Sequence, residues 1–415
     1  MNLLFTFLIV ITWFIATARR NQYDDDEDEP DGNLDSLYSI EDDPPFPSRF
    51  ISQKGELRQT FALVAAIDNQ DNNMICSPLS ALLPLGKLAI GAKDEALDEL
   101  LTAIGVSRKR KLKTHFKSLI EDLKYIQDVH LDLASRIYVS KYVHLHRKFI
   151  DRSKYIFDST AEKVDFSNPA DAAYVINTWV AKKTDGMIKE LLSPAQISPS
   201  SSLVLVNAIY FVGLWKAPFD KVRDGIFYTP RGEKQVKMMS RLAWYNYARS
   251  NILGAQLIEV PYEGDGASFV ILLPFKKNGL PALLSQLKLA PDLLNSELSR
   301  MSKIKIMLTM PKFKMETTLD LINLYKKIGL QSIFKSHDSG LKKIVRHQTV
   351  FVSSAIQKAV IEVTELGTEA AASSVVQLLG LSLDIHREKM NCEYPFLFLI
   401  VAKRQQLFVG ILNEP

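Results

Sequence analysis

The side chains best suited to catalysis or metal binding, the histidines and cysteines, are few and scattered in this sequence. It contains no HExxH or CxxC motif, no glycine-rich phosphate loop and no Gly-x-Ser-x-Gly turn that would expose a nucleophile. His144 and His146 would lie on one face of a strand, but no third ligand accompanies them, which favours a solvated pair over a metal site. We therefore predict no catalytic residue, no metal and no enzyme cofactor.

The elements that would position any site alternate between helix-like and strand-like patterns through residues 50–415, with no linker or repeat. Apolar residues at helical spacing predict helices over 81–104, 114–126, 170–184 and 318–328. Runs of β-branched and aromatic residues predict strands over 203–211, 256–261, 268–273, 305–310, 359–363, 396–401 and 407–412. These patterns predict one mixed domain, 49–415, whose second half is mostly sheet.

The composition is that of a globular protein, with 47% hydrophobic and 24% charged residues among 415. Cys76 and Cys392 are the two cysteines, and they form either one disulfide or two buried free thiols, so the core and not a disulfide framework must stabilise the fold.

The N-terminal residues have the pattern of a targeting segment. An apolar run over 3–16 ends in Ala16-Thr17-Ala18, which is typical of a signal peptide cleaved after residue 18. The run is shorter than the roughly 20 residues that a membrane anchor needs. We therefore predict a signal peptide at 1–18, a secreted, extracellular protein and no membrane attachment.

The segment after the signal peptide is strongly acidic. Residues 19–43 contain eleven acidic residues and two arginines, a net charge of −9, whereas the whole chain carries +4. Such a composition cannot bury enough apolar surface to order, so we predict an acidic disordered tail over 19–48. Tyr23 and Tyr38 lie in acidic settings that favour tyrosine sulfation.

One stretch, Glu365-Leu-Gly-Thr-Glu-Ala-Ala-Ala-Ser-Ser, has helical propensity although it directly follows the strand-like AVIEV. It resembles the hinge of the serpin family of protease inhibitors. Further motifs that resemble serpin segments recur in family order: CSPLS at 76–80, VDF at 164–166, INTWVAKKTDGMI at 176–188, LVNAIYFVGLWKAPF at 205–219, VKMM at 236–239, MPKFK at 310–314, YPFLFLI at 394–400 and LFVGILNEP at 407–415. The resemblance implies an α+β serpin fold with three β-sheets, about nine helices and an exposed reactive-centre loop.

The resemblance also implies that a protease cleaves this loop and that the hinge then inserts into the main sheet as a strand. Side chains of a strand alternate between its two faces, which here predicts small residues facing the core. The inward positions are Thr368, Ala370, Ala372 and Ser374, and the outward positions are Glu369, Ala371 and Ser373. The alternative is an alanine-rich helix or linker that never inserts.

Counting along a serpin loop of usual length from Gly367 places the reactive bond at Leu381-Ser382. A leucine there fits an apolar primary pocket and would leave the buried carboxylate of a trypsin-like pocket unpaired. We therefore expect a chymotrypsin-like or elastase-like serine protease as the partner of a monomeric inhibitor. Alternatives are attack at Leu379 or Leu383, a cysteine protease target, or a non-inhibitory serpin that acts as a carrier or polysaccharide-binding protein.

Two further groups of residues match serpin positions. Ser77, Ser80 and Asn207 match the polar shutter beneath the main sheet, where Gln357 replaces a histidine that many members carry. Glu365 and Lys312 match the ion pair at the top of the hinge, and Trp215 matches its aromatic neighbour. Leu366 departs from the commoner acidic residue. Ordinary buried hydrogen bonding would explain the same polar residues without a sheet that opens.

A basic stretch precedes and enters the helix with which several relatives bind sulfated polysaccharides. It comprises Arg108, Lys109, Arg110, Lys111, Lys113 and Lys117. The match implies a heparin-like glycosaminoglycan as an activator, although Glu121 and Asp122 interrupt the basic face and a solvated basic loop is the alternative. No aromatic residues interleave with the charges, so we predict no nucleic-acid partner.

Overall fold

The computed structural model describes residue 64, residues 72–124, residue 126, residues 128–368, residues 388–403 and residues 405–415. The strands, in chain order, are β1 Met74–Cys76, β2 Val129–Ser140, β3 Glu162–Val164, β4 Leu203–Leu214, β5 Lys221–Thr229, β6 Gly232–Ser250, β7 Ala255–Pro261, β8 Ala267–Pro274, β9 Ser302–Pro311, β10 Phe313–Asp320, β11 Val352–Val363, β12 Gly367–Thr368, β13 Glu388–Asn391, β14 Phe396–Ala402 and β15 Gln405–Leu412. The helices are α1 Pro78–Gly91, α2 Asp94–Ile104, α3 Lys109–Lys124, α4 Arg147–Phe157, α5 Pro169–Lys183, α6 Leu280–Leu289, α7 Asp292–Leu298 and α8 Leu321–Lys327.

Six strands form the sheet that carries the hinge, in the order β10-β11-β12-β4-β2-β3, with β11 and β4 also paired directly. β4 and β11 run parallel, and ten of the twelve residues of β4 and eight of the twelve residues of β11 are buried. Parallel strands buried on both faces read as continuous hydrophobic runs, which is why 203–211 and 359–363 were recognisable as strands from the sequence.

The other strands form a connected set of nine. The 19-residue strand β6 joins its two parts: β6 pairs with β5 and β9 along most of its length, and its last residues pair with β7. Beyond β7, the order β7-β8-β14-β15-β1 completes the set. With two sheets sharing β6, the described strands give the three-sheet α+β fold that the sequence implies, and eight α-helices have described bounds.

The predicted helices are present, but some of their ends differ. The pattern over 81–104 belongs to two helices, α1 and α2, because Ala92 and Lys93 are extended and the Lys93 amide bonds to the carbonyl of Gly340. The helix predicted over 114–126 begins earlier, at Lys109. The helix predicted over 318–328 begins later, at Leu321, because Asp320 ends β10 and caps α8.

The layers meet in three cores. The largest lies between the inner face of the six-stranded sheet, α1 and the nine-stranded set, and a second packs α6 and α7 against β7, β8, β14 and β15. The third lies on the outer face of the six-stranded sheet, which α5 covers. Cys76 and Cys392 are both buried and free, so the structure resolves the alternatives in favour of two thiols. Burial raises the pKa of the Cys76 thiol to about 12, which keeps it protonated and unreactive at neutral pH. Among the described residues, none of the helices has the length and apolarity required to span a membrane.

Candidate functional site

The end of the six-stranded sheet holds a short strand between two longer ones. β4 and β11 pair directly from Leu203 and Val352 as far as Tyr210 and Val360. Beyond that point β12 separates them, because Thr368 pairs with Val363 of β11 on one side and with Gly213 of β4 on the other. The sheet is therefore closed at its centre and already divided at its end by the first residues of the hinge.

Thr368 is completely buried at this division. Its Oγ1 lies 2.6 Å from the phenolic oxygen of Tyr262, which is also completely buried. Burial raises the pKa of Tyr262, so the phenol stays protonated and serves as a hydrogen-bonding group. Thr368 thus occupies the inward position that strand alternation assigns to it.

Gly367 lies too close to β4 to carry a side chain. A Cβ atom there would overlap the carbonyl oxygen of Gly213 and approach the Cα atom of Leu214 to 2.7 Å. β12 can pair with β4 only because position 367 has no side chain, which explains the glycine at this position of the hinge.

The backbone leading into β12 is held by four consecutive carbonyl groups. Trp215 donates from its indole Nε1 to the carbonyl of Thr364 at 2.9 Å, and from its backbone amide to the carbonyl of Leu366 at 2.9 Å. The amide of Phe219 donates to the carbonyl of Glu365, and the amide of Thr364 donates to the carbonyl of Gly367, both at 2.8 Å. Every carbonyl from 364 to 367 is therefore satisfied, which fixes the direction in which the hinge leaves β11.

Trp215 is itself held in place by aromatic packing. Its ring stacks on Tyr262 with centroids 4.6 Å apart, and Phe219 and Phe269 meet it edge to face. Phe219 lies in one of the serpin-like motifs, but nothing in the sequence predicted its contact with the hinge. Tyr262 gave none either, since it lies outside every motif and 106 residues from Thr368.

Glu365 and Lys312 form the ion pair that their positions suggest, with Oε2 and Nζ 2.6 Å apart. Partial burial raises the pKa of Glu365, but the hydrogen bond and charge of Lys312 outweigh burial and hold this pKa below its ordinary value. The pair is about one-third exposed, so solvent weakens it. It connects the segment before β10 to the residues just before β12.

The shutter residues lie beneath the centre of the same sheet. The Gln357 amide accepts from the backbone amide of Ser77 at 3.0 Å and donates to the Ser77 carbonyl at 2.8 Å. Ser77 Oγ accepts from the amide of Ser80 at 3.1 Å and so caps α1. Asn207 faces Gln357 across the β4–β11 pairing, but its side-chain atoms have no hydrogen-bond partner among the described residues.

The remaining hinge residues and the reactive bond lie outside the described residues. They are Glu369, Ala370, Ala371, Ala372, Ser373, Ser374, Leu381 and Ser382. The predicted tail and signal peptide are outside as well.

The basic residues lie at the start of α3, with Arg108 immediately before its first residue. Arg108, Arg110 and Lys111 are exposed, whereas the amine of Lys109 donates to the carbonyl of Ala92 at 2.8 Å. Burial, together with the positive charges of Lys343, Arg152 and Lys93, lowers the pKa of Lys109 to about 8. The sequence gave no sign that these three residues, far apart in the chain, would gather around Lys109.

Lys113 and Lys117 lie on a different part of the same helix. Both amines lie 4.8 Å from the centroid of the Tyr155 ring. Lys117 also lies 3.8 Å from Glu121, one of the two acidic residues that interrupt the basic face.

His144 and His146 lie just before α4. The His146 ring accepts from the amide of Lys148 at 3.3 Å and caps α4. A group outside the sequence prediction is His130, Asp132 and Asp185, whose possible ligand atoms all lie within 4.8 Å of one another. His130 and Asp132 already hydrogen-bond at 2.9 Å on the surface, so this contact explains the group without an ion.

Among the described residues of this site, none is a nucleophile with an orienting base, and the main feature of the site is a short strand seated between two longer ones. A hinge seated between the two parallel strands of a three-sheet fold defines the class of the molecule. Residues 57–415 match the family model described as Serpin (serine protease inhibitor). The chain belongs to the serpin family.

Known proteins agree with this assignment. Antichymotrypsin-2 of Bombyx mori is 35% identical over 350 residues, which cover 83% of this chain and 93% of the relative. Antitrypsin of the same species is 35% identical over 349 residues, covering 83% and 88%. The crystal structure of Serpin48 from Tenebrio molitor superposes with a TM-score of 0.76 at 26% identity, covering 88% of this chain and 99% of that one.

Proposed function

We propose that this serpin is a secreted suicide-substrate inhibitor of proteases, cleaved at Leu381-Ser382 and acting by insertion of the loop into the six-stranded sheet. The observation that carries the proposal is the position of β12, hydrogen-bonded to β4 and β11 at once. Residues 1–18, with the pattern of a signal peptide, support secretion.

Insertion can proceed from β12 without a loss of backbone hydrogen bonds. One ladder joins β4 and β11 over Leu203–Tyr210. A strand continuing from Thr368 would replace this ladder by two, and its small inward side chains would leave the core packing intact. Fourteen residues in a strand span roughly 45 Å.

Trapping would follow from the order of events. The protease attacks the carbonyl of Leu381 and forms an acyl ester with its own nucleophile, and Ser382 leaves as a new amino terminus. Insertion then moves the ester with its protease along the sheet before water can hydrolyse it. An inhibitor of this kind differs from a substrate only in the relative rates of insertion and hydrolysis.

The residue at the reactive bond supports a target class. Relatives named antichymotrypsin and antitrypsin are equally similar to this chain, so overall sequence similarity does not indicate which type of protease the loop fits. Leu381 fits the apolar pocket of chymotrypsin-like or elastase-like serine proteases. A cysteine protease with a similarly apolar pocket is the alternative target.

The surface around Lys109 supports a polyanion as a cofactor. Arg152 and Lys343 line a neighbouring cavity of about 250 Å³, together with His146 and Lys148. Burial lowers the pKa of Lys109, and repulsion from the charges of Lys343, Arg152 and Lys93 lowers it further. A sulfated glycosaminoglycan would relieve that repulsion, and its binding would weaken as salt is added.

Incubation with chymotrypsin, elastase, trypsin and papain, followed by denaturing electrophoresis, tests the proposal. We expect a band at the summed mass of inhibitor and protease with chymotrypsin or elastase. A band with papain alone would show that the target is a cysteine protease. Cleavage without a stable complex in every case would instead identify a serpin that does not inhibit, such as a carrier.

A further inference from the structure

A cavity of about 500 Å³ lies far from the hinge, beside β2. β4 pairs with β2 over Val129–Val139, but β3 pairs only with Tyr138, Val139 and Ser140 on the other edge. The rest of that edge faces no described strand. The cavity occupies this position and is lined by residues of α1, α3, α4 and α5 as well as β2.

One part of the cavity is apolar. Its walls are formed by Leu83, Ile120, Leu123, Leu131, Leu133 and Phe157. These side chains come from four different elements, α1, α3, β2 and α4. A hydrocarbon or aromatic body of a ligand would be removed from water here.

The rest of the lining is strongly cationic. Its basic side chains are Lys87, Lys124, Arg136, Lys154 and Lys183. Asp158 is the one carboxylate among the lining residues, and it pairs with Lys124 at 3.0 Å. The charges of this cavity are therefore not balanced by the residues that line it.

Lys87 is the most deeply placed of these cations, with 3% of its surface exposed. Its amine donates to the carbonyl of Ser135 at 2.7 Å and to Ser159 Oγ at 3.1 Å, both of them neutral acceptors. Burial and the charge of Arg136 lower the pKa of Lys87 to about 7. A buried amine without a carboxylate is costly, and an anion in the cavity would offset that cost.

Three polar groups of the lining lack a partner. Ser135 Oγ, Arg136 Nε and Trp179 Nε1 are buried atoms for which the described residues offer no hydrogen-bond partner. Ser135 is more than nine-tenths buried. Buried donors are normally satisfied, so three together in one cationic cavity point to an acceptor that the protein itself does not supply.

We propose that this cavity binds a small amphipathic anion, with a carboxylate, sulfate or phosphate group on an apolar aliphatic or aromatic body. The head group would accept from Arg136, Ser135 and Trp179, and the body would lie against the leucines of α1, α3 and β2. The site is separate from the hinge and from the basic turns of α3, and it does not depend on protease inhibition.

Calorimetric titration of the full chain with octanoate tests the proposal, with octyltrimethylammonium and sodium sulfate as matched probes. We expect saturable binding of octanoate at one site. The cation has the same tail with the opposite charge, and sulfate has the charge without the tail, so both should bind at least tenfold more weakly. Equal binding of octanoate and the cation would overturn the proposal, as would equal binding of octanoate and sulfate.

Variants locate the site. Arg136→Gln should weaken octanoate binding by roughly tenfold to a hundredfold, which is the change in affinity expected when a charge-assisted hydrogen bond is lost. Ser135→Ala removes a hydroxyl that has no partner, so it should weaken binding while leaving the thermal midpoint unchanged. Leu133→Trp should abolish binding by filling the space. Lys288→Met, on the exposed face of α6, is the matched control. Unchanged affinity in Arg136→Gln, Ser135→Ala and Leu133→Trp would exclude this cavity.

Discussion

The hydroxyl group of Thr368 lies 2.6 Å from that of Tyr262, and both side chains are fully buried. The contact joins the first inserted residue of the hinge to a ring that stacks on Trp215. Because Trp215 also binds the carbonyls of Thr364 and Leu366, one aromatic pair holds both the side chain and the backbone of the hinge. These contacts together fix the first residues of the hinge between β4 and β11.

Thr368→Arg should convert the protein from an inhibitor into a substrate. A long cation would have to enter a completely buried position, at a cost of several kcal/mol. Cleavage by the target protease should continue while the covalent complex disappears from denaturing gels. Thr368→Val is the matched control, since it keeps the shape and should still form complex. Undiminished complex with Thr368→Arg would refute loop insertion.

Glu365→Gln should loosen the hinge at neutral pH and should do so less in acid. The folded pKa of Glu365 lies below its ordinary value, so its ion pair with Lys312 stabilises the hinge above the unfolded carboxyl pKa. That contribution is lost as the pH falls through the folded pKa. A partly exposed pair contributes about 1 kcal/mol or less.

Hydrogen exchange at the backbone amide of Trp215, which donates to Leu366, measures this effect. At pH 7 we expect the variant to exchange up to about fivefold faster than the wild type, and we expect this difference to be smaller at pH 3, where more of Glu365 is protonated. Lys314→Met is the control, since it removes a nearby lysine of β10 that pairs with Glu362 and not with Glu365. Equal exchange of wild type and Glu365→Gln at both pH values would mean that the pair does not hold the hinge.

Lys87→Met should stabilise the protein at low pH and lose that advantage at high pH. With a folded pKa of about 7 and an ordinary value of 10.5, the unfolded chain binds more protons between these two values. The stability of the wild type therefore rises with pH across this window, by up to about 1.4 kcal/mol per pH unit, and the variant lacks this rise.

Urea unfolding midpoints at pH 6, 8 and 10 test whether the stability of the wild type rises with pH relative to that of the variant. The advantage of Lys87→Met should be largest at pH 6, and Lys288→Met should match the wild type throughout. Ser135 O keeps its bond from Ser159 Oγ in the variant, which limits the loss from the missing amine. A difference that is constant with pH would contradict the buried-amine interpretation.

Leu381→Arg should gain inhibition of trypsin and lose inhibition of chymotrypsin. An arginine can pair with the carboxylate of a trypsin-like pocket, whereas leucine can only fill an apolar one. Mass spectrometry of the cleaved wild type checks the position of the reactive bond. A cut after Leu379 or Leu383 would move the reactive bond.

Deletion of residues 19–43 should tighten binding to a heparin column. The deleted segment carries a net charge of −9, and its tethering would make it a competitor for the basic surface at roughly millimolar effective concentration. The eluting salt should therefore rise. Neutralising Arg108, Lys109, Arg110, Lys111 and Lys113 together should remove the gain. Elution of truncated and full-length proteins at the same salt would show that the tail does not cover this surface.

Much of the fold was accessible from the sequence because its central strands are continuous hydrophobic runs and its motifs follow family order. What escaped prediction depends on partners distant in the chain. β5 and β6 were missed because they are exposed on much of their length and lack a hydrophobic pattern. Tyr262 was missed because only the folded sheet brings it to Thr368.

Gln357 determines how the hydrogen bonds at the centre of the closed sheet respond to pH. Its amide binds Ser77 twice, and neither an amide nor a serine gains or loses a proton between about pH 4 and about pH 9. Many relatives place an imidazole here, which would titrate within that range. In this chain the hydrogen bonds between Gln357 and Ser77 do not respond to acidity, whereas the Glu365–Lys312 pair at the end of the sheet does. Acid therefore weakens a contact that holds the hinge and leaves the contact beneath the centre of the sheet unchanged.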